Sequence, residues 1–201
     1  MIDLPTDLPA DLAPLSWLVG VWEGTGVIDY EADGHRFAGE FGHRVSFSHD
    51  GGGYLNYSAH AWLIGDDGEK AGSLASEVGF WRLSRPSTDA DAGPALLPAV
   101  IAADPRTADD VELLRNDEGG FDIEASIVHS DGVTELYLGQ IRGPRIDIAT
   151  DAVVRTAAAK PYAAATRMYG LVDAHLLWAW DIAALGQELA SHASARLARV
   201  D

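Results

Sequence analysis

Trp17-Leu18-Val19-Gly20-Val21-Trp22-Glu23-Gly24-Thr25-Gly26-Val27-Ile28-Asp29-Tyr30 decides the fold. Read at period two, it sets Val19, Val21, Thr25 and Val27 on one face and Leu18, Gly20, Trp22, Gly24, Gly26 and Ile28 on the other, which predicts a strand and not a helix. Glycine weakens a strand, so its repetition beside Trp22 calls for tight curvature or the close approach of another backbone or a ligand. The first strand of a small closed barrel has that need, because the sheet must bend sharply to close.

Outward from this stretch the chain alternates. Glu31-Ala32-Asp33-Gly34 is a turn signal, Phe37 to His49 reads as the partner strand, and Asp50-Gly51-Gly52-Gly53 closes the hairpin. Tyr54 to Leu63, Leu74 to Leu83, Val111 to Leu114, Phe121 to His129, Val133 to Ile141, Arg145 to Thr150, Val153 to Ala158, Tyr162 to Val172 and Leu176 to Ile182 follow as strands. Roughly ten strands with short polar turns predict an all-β, antiparallel, up-and-down barrel of the lipocalin or fatty-acid-binding type. One domain is expected over 1–201, with residues 1–13 an N-terminal arm and 86–98, rich in Asp, Ala and Gly, a surface loop. The period changes at the end: Leu185, Leu189, Ala193 and Val200 fall within about a quarter turn of one another at helical spacing, which predicts a short C-terminal helix with His192 on its apolar face.

Composition excludes several functions. A net charge of −17 opposes attraction to nucleic acid or anionic membranes. The absence of cysteine removes disulfides, thiolate nucleophiles and cysteine metal sites, and suits a reducing compartment. Met1 to Pro9 is acidic and proline-broken, unlike a signal peptide, and no stretch approaches the roughly 20 apolar residues of a membrane span. A cytoplasmic protein without a membrane or nucleic-acid partner is expected.

No nucleophile elbow, phosphate-binding loop or dinucleotide fingerprint is present, and no His-Glu-x-x-His. Of seven histidines, His192 alone stands on an apolar face, where it is either a core residue bonded to a carbonyl or a ligand. A lone imidazole does not make a zinc site, but it is what haem iron needs as an axial ligand. Glu77 and Glu135 lie within apolar strands and require a buried partner, for which Arg82, Arg142 and Arg167 are available. Alanines at alternate positions, among them Ala59, Ala61, Ala75, Ala163, Ala165 and Ala179, leave room for a cavity lined by aromatics.

Gly20-Val21-Trp22-Glu23-Gly24-Thr25-Gly26 matches the Gly-x-Trp-x-Gly-x-Gly signature of the nitrobindins. Phe47-Ser48-His49-Asp50-Gly51, Glu77-Val78-Gly79-Phe80-Trp81-Arg82, Gly132-Val133-Thr134-Glu135, Ala159-Lys160-Pro161, Arg167-Met168-Tyr169 and Leu189-x-x-His192-x-x-Ala195-x-Leu197 extend the likeness over nearly the whole chain. The chain therefore resembles the nitrobindin family, in an actinobacterial-type form. The resemblance implies a ten-stranded barrel that holds one ferric haem b per chain, with His192 as axial and catalytic ligand to the iron and Lys160 near the propionates. It implies isomerisation of peroxynitrite to nitrate and binding of nitric oxide; an exposed barrel edge or helix face would permit a homodimer. Two positions depart from the family pattern: a threonine after the first strand is Ala32, and a histidine before Glu-x-Gly-Phe is Ala75. The alternative is a barrel without haem that carries a fatty acid or another small apolar ligand.

Overall fold

Alternation builds the strands. Leu55, Tyr57, Ala59 and Ala61 are buried and the residues between them face outward, and Phe121, Ile123, Ala125, Ile127 and His129 repeat the pattern. The computed structural model describes residues 8–32, 34–102 and 104–200, so Asp33 of the first turn signal and residues 1–7 of the expected arm lie outside the described residues. A 3-10 helix spans Ala10–Leu18, followed by β1 (Gly20–Ala32), β2 (His35–Ser48), β3 (Leu55–Ile64) and β4 (Lys70–Leu83). After a long connection come α1 (Ala108–Glu112), β5 (Phe121–His129), β6 (Val133–Arg142), β7 (Arg145–Arg155), β8 (Tyr162–Val172), β9 (His175–Ala184) and β10 (Ala190–Val200). Each strand pairs antiparallel with the next and β10 pairs with β1, giving a closed ten-stranded up-and-down barrel.

Closure explains the glycines of the opening stretch. In the β1–β10 ladder Gly24 faces Leu197 and Gly26 faces Ala195. A Cβ at Gly24 would stand 2.3 Å from the Arg196 carbonyl oxygen, and one at Gly26 would stand 2.2 Å from that of Ser194. Only glycine lets the two backbones approach this closely.

Three expectations are corrected. The C-terminal helix is instead β10, in which buried Ala195 and Leu197 alternate with exposed Ser194, Arg196 and Ala198. Alanine-rich helix propensity is overridden because β1 and β9 would otherwise present unpaired edges, each of which β10 satisfies along its length. Val111 to Leu114 is not a strand: Thr107 and Asp110 form a reciprocal capping box that starts α1, and buried Val111 anchors it. Val153 to Ala158 is not separate either, since β7 runs on to Arg155 past an irregularity opposite Leu136 and Tyr137.

Trp17 and Leu18 belong to the 3-10 helix, and so do the last residues of the expected arm. Leu12, Leu15 and Leu18 are fully buried, and Trp22 Nε1 donates to the Leu18 carbonyl at 2.7 Å. This helix packs into the core beside Trp22, Phe47 and Trp81 and covers the barrel end at which β1 begins. The opposite end holds a cavity.

Candidate functional site

The cavity measures about 220 Å³ and takes its wall from β1 through β6 and from β8 to β10. Ala59, Ala61, Ala75 and Ala193 supply the space, and Ile28, Phe41, Val133, Trp178 and Trp180 make the surface mostly apolar. Among the described residues the wall carries no lysine or arginine.

His192 stands in this wall, on β10, where the register shifts between Ser191 and Ala193. The irregularity turns a side chain inward that strict alternation would not. Its ring meets the edges of Tyr30 at 4.9 Å and Trp180 at 5.4 Å between centroids. Nδ1 is buried without a hydrogen-bond partner. Burial pushes the imidazole pKa down to about 4, so near pH 7 the ring is neutral and keeps a lone pair to offer.

Below the cavity lies a buried ion cluster. Arg167 of β8, 2 % exposed, donates from Nη1 to Glu77 Oε2 at 2.7 Å and from Nη2 to Glu77 Oε1 at 2.9 Å. Its Nη2 also reaches Glu135 Oε2 at 3.3 Å, and its Nε donates to the Tyr137 hydroxyl at 2.9 Å. Tyr57 donates to Glu77 and Tyr137 to Glu135, each at 2.7 Å, and His129 Nε2 lies 2.5 Å from Glu135 Oε2. Burial alone would raise the Glu77 carboxyl; Arg167, with help from His129 and the Tyr57 hydroxyl, outweighs it and holds the pKa at about 2. Of the three arginines available to these carboxylates, Arg167 thus serves both, while Arg82 and Arg142 pair with Glu124 and Glu118 on the surface. The guanidinium also lies 4.5 Å from the Trp180 ring centroid, so the cluster fixes the indole whose ring borders His192.

Lys160 is not in the cavity wall. It is exposed on the connection between β7 and β8, two residues before Tyr162, which does line the cavity, and its carbonyl accepts from Arg155 Nη1 at 3.1 Å. Gly20, Trp22, Gly24 and Gly26 shape the barrel, and Ala32 is buried in its core. Sequence reasoning passed over His43, which the structure places in the cavity. Period-two alternation through Phe41, His43, Val45 and Phe47, all buried, was the available signal.

These groups give the barrel an acid-sensitive interior. Burial, only partly offset by Glu77, also lowers the His43 pKa to about 4. A histidine depressed in the fold leaves stability intact above its unfolded value of 6.5 and removes it as pH falls toward 4; for His43 this amounts to about 3 kcal/mol. His192 acts in the same direction, and Glu77 adds a second loss between 4.5 and about 2. Thermal melts of the protein without ligand are expected to show the unfolding midpoint falling steadily from pH 6.5 to 4. A flat midpoint over that range contradicts the buried, neutral imidazoles.

The chain matches the family described as THAP4-like, heme-binding beta-barrel domain over residues 11–199. It is 62% identical over 201 residues to a protein of Leifsonia xyli subsp. xyli named peroxynitrite isomerase, and 58% identical over 201 residues to one of the same name from Clavibacter michiganensis subsp. michiganensis. In both comparisons all of each chain is covered. The fold is similar to the crystal structure of Rv2717c from M. tuberculosis, with a TM-score of 0.66 and 23% identity over 99% of this chain and 100% of that one.

Proposed function

The chain belongs to the family of THAP4-like, heme-binding beta-barrel domains, and from that premise we propose that it isomerises peroxynitrite to nitrate with one ferric haem b per chain, whose iron His192 would hold. The observation that carries the reading is the neutral His192 imidazole, unpartnered in an apolar cavity. The donor set fits the group, since haem iron asks the protein for one neutral nitrogen, whereas a bare metal ion asks for three or more ligands. Among the described residues no cluster of three such ligands occurs.

Bound haem would supply a Lewis-acidic iron that polarises the substrate. His192 would hold the iron, and Tyr30 and Trp180 hold its imidazole by the edges. Arg167 steadies Trp180 from the cluster beneath. The apolar wall would exclude water and hold the reacting anion in one place as it is converted to nitrate. Lys160, on the connection that leads to the cavity-lining Tyr162, is the cation assigned to a propionate. The same iron would also bind nitric oxide, in a protein of the cytoplasm.

A fatty-acid carrier is the weaker reading. Its ligand's carboxylate needs a free buried cation, and Arg167 is already neutralised by Glu77 and Glu135. Absorbance titration with hemin is the test: a saturable Soret band at one equivalent, with faster decay of peroxynitrite in stopped flow, is expected. A broad band that never saturates, as adsorbed hemin gives, overturns the proposal.

A further inference from the structure

The cavity wall holds a buried imidazole that the proposed chemistry has not used. His43 is delivered inward by β2 and is 5 % exposed. It lies against Trp178, with ring centroids 4.8 Å apart and planes 23° from parallel, and Phe41 meets it at 5.9 Å. Neither ring nitrogen has a hydrogen-bond partner. The His60 carbonyl on the neighbouring strand, with Glu77, favours the charged ring, and Arg167 and the His60 ring oppose it.

In either tautomer a neutral imidazole has one N–H to donate and one lone pair to share. Leaving both unmet in an interior destabilises the fold, and native proteins seldom do so. Leucine or phenylalanine would fill the same space against Trp178 without that cost. The unmet pair therefore points to an occupant of the cavity.

We propose that His43 is a hydrogen-bond donor of the cavity to the substrate, beside the unpartnered Tyr162 hydroxyl and the Trp178 and Trp180 indole N–H groups, its N–H meeting an oxygen of the peroxynitrite anion and, by the same chemistry, other small anions that enter. This rests on the reading of the chain as a haem protein. The site suits an anion although Glu77 and Asp131 line it, because Arg167 neutralises Glu77 and Asp131 is exposed to solvent. A neutral donor holds the anion without protonating it. Small ligands with a charged acceptor atom gain from such a group, and neutral diatomics gain little.

Azide is the probe, measured against ferric, hemin-loaded parent, His43→Leu and His43→Gln. Azide affinity is expected to fall about tenfold in His43→Leu, the loss of one hydrogen bond to a charged group. It should be largely restored in His43→Gln, which keeps an N–H donor. In the ferrous carbon monoxide forms, the C–O stretch is expected to move to higher wavenumber in His43→Leu and back toward the parent value in His43→Gln. Hemin uptake should be unchanged, and without hemin the thermal midpoint of His43→Leu should equal or exceed that of the parent, since an unmet polar group has been removed. Unchanged azide affinity and C–O stretch in His43→Leu, with hemin taken up normally, make His43 a packing residue and overturn the proposal alone. Loss of hemin uptake in His43→Leu makes it an iron ligand and overturns the proposal as well. A parent that takes up no hemin at all removes the haem reading, and this one with it.

Discussion

His192→Ala is expected to leave the barrel folded and to lose hemin. The imidazole makes no hydrogen bond through its buried Nδ1 and packs by its edges against Tyr30 and Trp180. Removing it forfeits those edge contacts, on the order of 1–2 kcal/mol together, and leaves no charge or polar group stranded. Even outer-shell partners of a metal ligand are worth roughly ten- to a hundredfold in metal affinity, so loss of the ligand itself should lower hemin affinity by at least about a hundredfold. Peroxynitrite should then decay as it does with free hemin in buffer. Adding imidazole should restore part of the Soret band, because the truncation opens a space of the right shape beside Trp180. A variant that loads hemin and isomerises peroxynitrite as the parent does would remove His192 from the iron.

The inward placement of His192 was readable although its element was misread. At helical spacing His192 shares a face with Leu185 and Leu189, but both of those residues precede β10. In the strand it turns inward at the irregularity between Ser191 and Ala193. Two different periodicities thus send one side chain into the core. What local pattern did not carry was the partner: the glycines of β1 admit the backbone of β10, across more than 160 residues of chain, and only that pairing decides between helix and strand. The alternating strands on either side of each short turn were legible because their partners are neighbours in sequence, as β2 and β3 are.

The interior charges divide in the same way. An apolar strand with one glutamate announces a need for a cation, so Glu77 and Glu135 were visible. The choice of Arg167 over Arg82 and Arg142 follows from which face of its strand each occupies, since Arg167 and Tyr169 are buried whereas Arg82 and Arg142 are exposed. His43 escaped notice because Arg44 and Gly42 make its neighbourhood look polar. Its strand partners Phe41 and Val45 were the better guide, two residues away on either side. Lys160 shows the reverse case, a residue singled out by motif whose side chain the structure leaves on an exposed connection.

Arg167→Met is expected to destabilise the protein by about 3–5 kcal/mol, a large part of the roughly 5–15 kcal/mol of a typical domain. Methionine fills the space but leaves Glu77 and Glu135 ionised, buried and close to one another, with only His129 beside both carboxylates. The pH dependence should invert, and this separates lost charge from lost packing. In the parent the Glu77 pKa lies below its unfolded value, so its contribution disappears as pH falls from 4.5 toward 2. Without the guanidinium, burial raises the same carboxyl above the unfolded value, and stability returns as acid protonates it. Urea unfolding at pH 7 and pH 5 should therefore show the gap between variant and parent narrowing in acid. Adding Glu77→Gln and Glu135→Gln to Arg167→Met should recover most of the loss at pH 7, because no unpaired charge remains. The consequence reaches the cavity through Trp180, which loses the cation 4.5 Å from its ring and with it the support for the indole edge that borders His192. Hemin affinity should thus fall in Arg167→Met even where the barrel is still folded, and an Arg167→Met protein as stable as the parent at pH 7, with unaltered hemin affinity, would mean that the cluster neither holds the core nor steadies the site.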